Sequence, residues 1–185
     1  MKMAETGTGD APRYTLTARW LHGVVALVVL GLVVPAGVWI RYFEPADQAF
    51  KMQLYNLHES LGLIVFGLTL ARLTWRWMYP PPVLPQETPV LIRLASGFSH
   101  ASLYALLLLM PITGFLATNA WGFPLVVFEW IPIPSPMGKN ELLARALSFT
   151  HWCGAVSMGF ILCAHVMGAV YHRFFARDAI ARRMI

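Results

Sequence analysis

Charge is scarce in this sequence. Of its 185 residues, 12% are Asp, Glu, Lys or Arg, roughly half of the ~25% that a soluble domain carries. Such a shortage, with 57% hydrophobic residues, excludes an ordinary water-soluble domain and points to a membrane protein. Cysteine is almost absent, with only Cys153 and Cys163 present. Ten residues along one helix hold them about 15 Å apart, too far for a disulfide, so they read as small core residues. There is no CxxCH, which excludes covalent attachment of a c-type haem. Repeats and low-complexity tracts are missing, and the arginines form no continuous patch, so nothing suggests a nucleic-acid partner.

What is present is four apolar runs near the ~20 residues that a bilayer requires. They are GVVALVVLGLVVPAGVWI (23–40), LHESLGLIVFGLTLARLTWRW (57–77), ASLYALLLLMPITGFLAT (101–118) and CGAVSMGFILCAHVMGAVY (153–171). The second is the weakest, because Glu59, Arg72 and Arg76 lie near its ends, where arginines can snorkel. Pro111 predicts a kink in the third. The fold class expected is an all-α integral membrane protein, a four-transmembrane-helix bundle with spans at about 18–40, 55–77, 97–118 and 149–173. Residues 1–13 read as a disordered polar tail and 14–185 as one transmembrane domain. The first run exceeds a signal peptide's apolar region and reads as a retained helix, opened by Thr15 or Thr17. The proline-rich connection 79–90 should run extended, and the long loop 119–140 should lie at the outer interface.

Four spans put both termini on one side. Lys2, Arg13, Arg19, Arg72, Arg76, Arg93, Arg173, Arg177, Arg182 and Arg183 lie on that side, and only Arg41, Lys51, Lys139 and Arg145 on the other. The positive-inside rule then predicts cytoplasmic termini in a bacterial inner membrane, with the excess of basic residues meeting anionic lipid.

Histidines within hydrocarbon demand partners. By this topology His58 and His151 lie in the outer half. His22 and His100 begin spans one and three from the cytoplasm. His165 lies fourteen residues beyond His151, about 21 Å deeper and on the same helix face. Two layers of histidines form a scaffold for two stacked sites. A structural zinc wants four N or S ligands, which neither layer offers with certainty; two imidazoles can instead fill the axial positions of a haem iron. Gly62, Gly154 and Gly168, one turn from His58, His151 and His165, would let a flat macrocycle approach, although small residues also serve plain helix packing. Interhelical hydrogen bonding is the simpler role for any single histidine. His172, beside Arg173 at the cytoplasmic end, reads as water-solvated, His100 as a neighbour of a propionate or quinone, and Glu59 as a boundary carboxylate. Depth alone leaves His22 and His100 both open as the inner partner of His165.

Several segments, RWLHG (19–23), LHESLG (57–62), ARLTWRWMYPPPVLP (71–85), SHASLYALLLLMPITGFL (99–116), the His151/His165 pair and HRFFARDAIARRMI (172–185), resemble the bacterial cytochrome b561 family. That family includes the b-type cytochrome subunits of nickel hydrogenases and formate dehydrogenases. The resemblance implies two haem b groups, the inner held by His22 and His165 and the outer by His58 and His151. It also implies ubiquinone as the inner electron partner, and for some relatives superoxide as the outer donor. Gly23 and Tyr171 depart from the family pattern, which places tryptophan and histidine there. The expected function is electron transfer across the inner membrane between a periplasmic-side donor and the quinone pool. Expected partners are the lipid bilayer, quinone and an unidentified periplasmic donor, with a homodimer left open. Alternatives are the membrane-anchor cytochrome of a periplasmic dehydrogenase or hydrogenase, and a haem-free transporter or channel that uses the histidines as relays.

Overall fold

The computed structural model of the chain describes residues 13–43, 47–84 and 87–184. The polar tail expected at 1–13 lies, apart from Arg13, outside the described residues. Among the described residues four helices are long and apolar enough to cross a membrane: α1 (Leu16–Tyr42), α2 (Gln48–Met78), α3 (Val90–Trp121) and α4 (Glu141–Phe175). A short α5 (Ala179–Arg182) follows.

Local chemistry sets the helix starts. Thr15 Oγ1 accepts from the Ala18 amide at 3.3 Å, Asp47 Oδ1 from Ala49 at 2.8 Å and Asn140 Oδ1 from Leu143 at 3.0 Å. Each cap satisfies one of the amide donors that a helix start leaves unpaired. Pro89 opens α3, where a missing amide hydrogen costs nothing. Because these caps precede the apolar runs, α2, α3 and α4 begin about two turns earlier than the hydrophobic windows predict. Hydropathy marks only the part of a helix inside the hydrocarbon. The α3 helix continues unbroken through Pro111 and ends at Gly122, whose φ of 95° suits glycine. There the Gly122 and Phe123 amides cap the carbonyls of Asn119 and Thr118, each at 2.9 Å. One π turn, Val29–Val33, widens α1 just before Pro35.

Most large apolar side chains face outward; Leu27 is 71% and Phe160 76% exposed. Water would penalise such a surface, whereas lipid suits it. Inside, Val25, Val29, Val65, Leu107 and Met158 form a compact apolar cluster fed by all four helices. Val29, Val65 and Met158 each lie seven residues beyond a histidine (His22, His58 and His151), so the cluster fills the midplane between the two histidine layers. Cys153 is half-buried, but Cys163 is exposed, so only the first belongs among the core residues expected.

The ends of the bundle differ. At one end the Tyr14 amide donates to the Arg183 carbonyl at 3.0 Å, Trp75 Nε1 donates to Thr15 Oγ1 at 2.8 Å and the Arg183 guanidinium donates to the Pro82 carbonyl. Both ends of the described chain and the α2–α3 connection thus share one face of the bundle. His172 also lies here. It was expected in water, yet its Nδ1 is 2.6 Å from the Asp178 carboxylate, and its side chain is only 12% exposed. Asp178 also caps α5, so the pair ties the C-terminal turn to the end of α4.

At the opposite end, residues 122–140 form a small hairpin instead of a plain interfacial loop. Strand β1 (Val126–Val127) pairs antiparallel with β2 (Ile131–Pro132), Val127 opposite Ile131. Asn56 Nδ2 donates to the Val126 carbonyl at 2.5 Å, and the Phe128 amide donates to the fully buried Ser60 Oγ at 2.8 Å. These bonds fasten the hairpin over the N-terminal part of α2, beside the half-buried Glu59.

Candidate functional site

The sequence singled out four histidines, and the structure brings them together as two couples. His22 on α1 faces His165 on α4 with ring centres 6.2 Å apart and planes at 82°. His58 on α2 faces His151 on α4 at the same 6.2 Å and 79°. Two metal–imidazole bonds of about 2.0 Å, with about 1.1 Å from each nitrogen to its ring centre, place two rings about 6.2 Å apart across one metal. Because α4 is continuous, the fourteen residues between His151 and His165 set the two layers about 21 Å apart.

The outer couple is held by the backbone. His58 Nδ1 lies 3.0 Å from the Val33 carbonyl oxygen, and His151 Nδ1 lies 3.1 Å from that of Met110. A carbonyl only accepts, so each Nδ1 carries the proton and each Nε2 keeps a free lone pair, the form that binds a metal. Thr113 Oγ1 adds a second acceptor 3.2 Å from His151 Nδ1, while its own hydroxyl proton goes to the Leu109 or Met110 carbonyl.

Two glycines permit this. A Cβ on Gly37 would stand 3.1 Å from His58 Cε1, and one on Gly114 would stand 3.0 Å from His151 Cε1. Each lies one turn beyond the carbonyl that receives the bond, Val33 or Met110. Sequence reasoning looked for clearance beside the ligands on their own helices and so missed both. A signal was present: α1 and α3 each carry a proline followed within three residues by a glycine, in VPAG and MPITG. Of the glycines expected to give clearance, Gly62 and Gly168 face open space, but Gly154 packs against Met110 and serves helix contact instead.

The inner couple borders an apolar cavity that is open to the outside. Val25, Val29, Leu107 and Met158 wall it toward the midplane, and Arg72 and Tyr104 stand at its polar edge. Arg72 and Arg76 lie over the Tyr104 ring at 5.2 and 5.9 Å. His100 joins this layer 5.4 Å from His165 with planes at 69°, and its Nδ1 is 3.5 Å from Ser96 Oγ. Only His22 repeats the separation of the outer couple. Gly23, the departure from the expected pattern, does not line this cavity.

Among the described residues no group of three or more His, Cys, Asp or Glu could hold a metal ion unaided. Two imidazoles per layer, free Nε2 atoms in the outer couple and an apolar cavity with cationic groups at its mouth fit a flat iron macrocycle that brings its own four equatorial bonds.

Comparison with known proteins points to a family. A family model described as prokaryotic cytochrome b561 matches residues 13–185. The chain is 29% identical to "Cytochrome b561 homolog 2" of Escherichia coli (strain K12) over 179 residues, 96% of this chain and 94% of that protein. It is 25% identical over 174 residues to "Probable superoxide oxidase CybB" of Yersinia pestis, covering 94% and 96% of the two chains. It is 26% identical to "Cytochrome b562" of Cereibacter sphaeroides over 180 residues, 94% and 96% respectively. With four apolar helices, two facing pairs of imidazoles and a family match from Arg13 to the last residue, the chain belongs to the prokaryotic cytochrome b561 family, bacterial membrane cytochromes of electron transport that bind b-type haem.

Proposed function

We propose that this chain is a di-haem b cytochrome of a bacterial inner membrane, carrying electrons between a periplasmic-side donor and the quinone pool. In this reading His22 and His165 are the axial ligands of the inner haem, and His58 and His151 those of the outer haem. The carrying observation is that the two imidazole couples share one ring separation, 6.2 Å, the value that a bridging metal requires.

When bound, haem supplies reversible one-electron chemistry, and two imidazoles leave its iron no open position for oxygen. The chain supplies the rest. The Val33 and Met110 carbonyls fix the outer ring tautomers. The apolar midplane excludes water between the layers. Arg72 and Arg76 offer positive charge for haem carboxylates at the inner mouth. The excess of Lys and Arg at the terminal end supports cytoplasmic termini and hence an inner-membrane orientation.

Superoxide is the favoured outer donor, since one relative carries that activity in its name. Ubiquinone is the favoured inner partner, as the family resemblance implies. A free-standing cytochrome is favoured over an anchor subunit because the relatives named cytochromes have nearly the same length.

Haem stoichiometry of the purified protein, with reduced-minus-oxidised spectra, tests the reading. Two haems per chain and a b-type α band are expected. His58→Ala or His151→Ala should remove one haem and spare the other. Equal loss of both, or no α band, would end the two-layer scheme.

A further inference from the structure

The two couples differ in what lies behind the imidazoles. In the outer couple both Nδ1 protons reach backbone carbonyls, and His151 has Thr113 Oγ1 as well. In the inner couple His22 Nδ1 is buried and has no hydrogen-bond partner among the described residues. A hydrogen bond from Nδ1–H to an acceptor moves the ring toward imidazolate and makes Nε2 a stronger donor, which favours the oxidised metal. A ring without that acceptor donates less. The nearest fixed charge acts in the same sense, because the Arg72 guanidinium lines the inner cavity and disfavours adding positive charge to the metal there.

We infer that Val33, Met110 and Thr113, given access by Gly37 and Gly114, are positioning residues that hold the outer site at a lower reduction potential than the inner one. The inference rests on the two-haem assignment above. Its consequence is a direction. One electron leaves the outer site, which is oxidised, and the same electron reduces the inner site, so transfer runs downhill from the hairpin end toward the end that bears the termini. The outer donor resupplies the first site and the quinone drains the second, as the proposed function already requires. The chain then acts as a rectifying conductor, with the bias built into backbone carbonyls rather than into different ligands.

The glycines are essential to this arrangement. With a methyl group at Gly114 the added carbon would stand 3.3 Å from His151 Nδ1 and 3.0 Å from Cε1, so the ring would have to give by a few tenths of an ångström and strain its bond to the Met110 carbonyl. Thr113→Val is the gentler probe: it keeps the side-chain shape and removes only the second acceptor.

Potentiometric titration of the haem-loaded protein in detergent, followed at the α band, tests the inference. The wild-type protein should titrate in two steps. His58→Ala should abolish the lower one. Thr113→Val should raise the lower step and leave the upper in place, and Arg72→Gln should lower the upper step alone. The two conservative variants assign the steps even if His58→Ala does not fold. Loss of the upper step in His58→Ala overturns the order of potentials. A Thr113→Val protein whose steps both move, or neither, overturns the role of the hydrogen bonds. Either result leaves the two-haem reading standing. Fewer than two haems in the wild-type protein would instead remove that reading, and this inference with it.

Discussion

At the scale of single residues, glycine does as much for the outer site as histidine. Gly37 and Gly114 stand so close to the His58 and His151 rings that one added carbon would force each ring to give by a few tenths of an ångström. Gly114→Ala is therefore expected to cut bound haem from two per chain to one, read by haem stoichiometry. Gly67→Ala is the control: that position is exposed and a Cβ there meets nothing, so it should retain both haems. Removing a mid-helix glycine should also stabilise α2 by about 0.5–1 kcal/mol, seen as a higher melting temperature. The histidines were legible in the sequence because a buried imidazole in an apolar run is costly and conspicuous. Gly37 and Gly114 were not, because their partners lie on other helices, and spacing along one helix says nothing about its neighbours. His172 was misread for the same reason, as its acceptor Asp178 comes from a turn that folds back.

At the scale of elements, hydrophobic length identified four helices but not where they begin. Asp47, Pro89 and Asn140 set the starts of α2, α3 and α4, and their caps lie beyond the apolar windows. The hairpin escaped notice altogether. Its turn passes through Phe128 and Glu129 at φ values of 49° and 66°, positions where glycine or asparagine would have announced it. Tertiary bonds to α2 hold it instead. Ser60→Ala is expected to leave the Phe128 amide without its partner and to destabilise the hairpin by about 1–3 kcal/mol. Faster proteolytic cleavage within 122–140, with both haems retained, would be the signature. Unchanged cleavage would mean that the strand pairing alone fixes the hairpin.

At the scale of the whole molecule, composition carried most of the information. Scarce charge and four apolar runs required a bundle in lipid, and the family match spans that bundle. The bonds joining Tyr14, Thr15, Trp75, Pro82 and Arg183 place the two ends of the described chain together, as an even number of spans demands. The proposed function puts the face they share in the cytoplasm, on the count of arginines. A reporter active only in the cytoplasm, fused after Ile185, should be active, and the same reporter inserted in the 122–140 hairpin should be silent.

The apolar layer of Val29, Val65, Leu107 and Met158 has one further consequence. Its side chains carry no acidic group, and the one hydroxyl buried beside it, that of Thr69, donates to the Val65 carbonyl and bridges neither histidine layer among the described residues. Charge crossing it is therefore uncompensated and feels the transmembrane voltage. A 21 Å step through a hydrocarbon core about 30 Å thick samples roughly two-thirds of that voltage, about 1.5 kcal/mol for every 100 mV. Inward electron flow against an interior-negative cell would slow as the membrane energises and quicken when an ionophore discharges it.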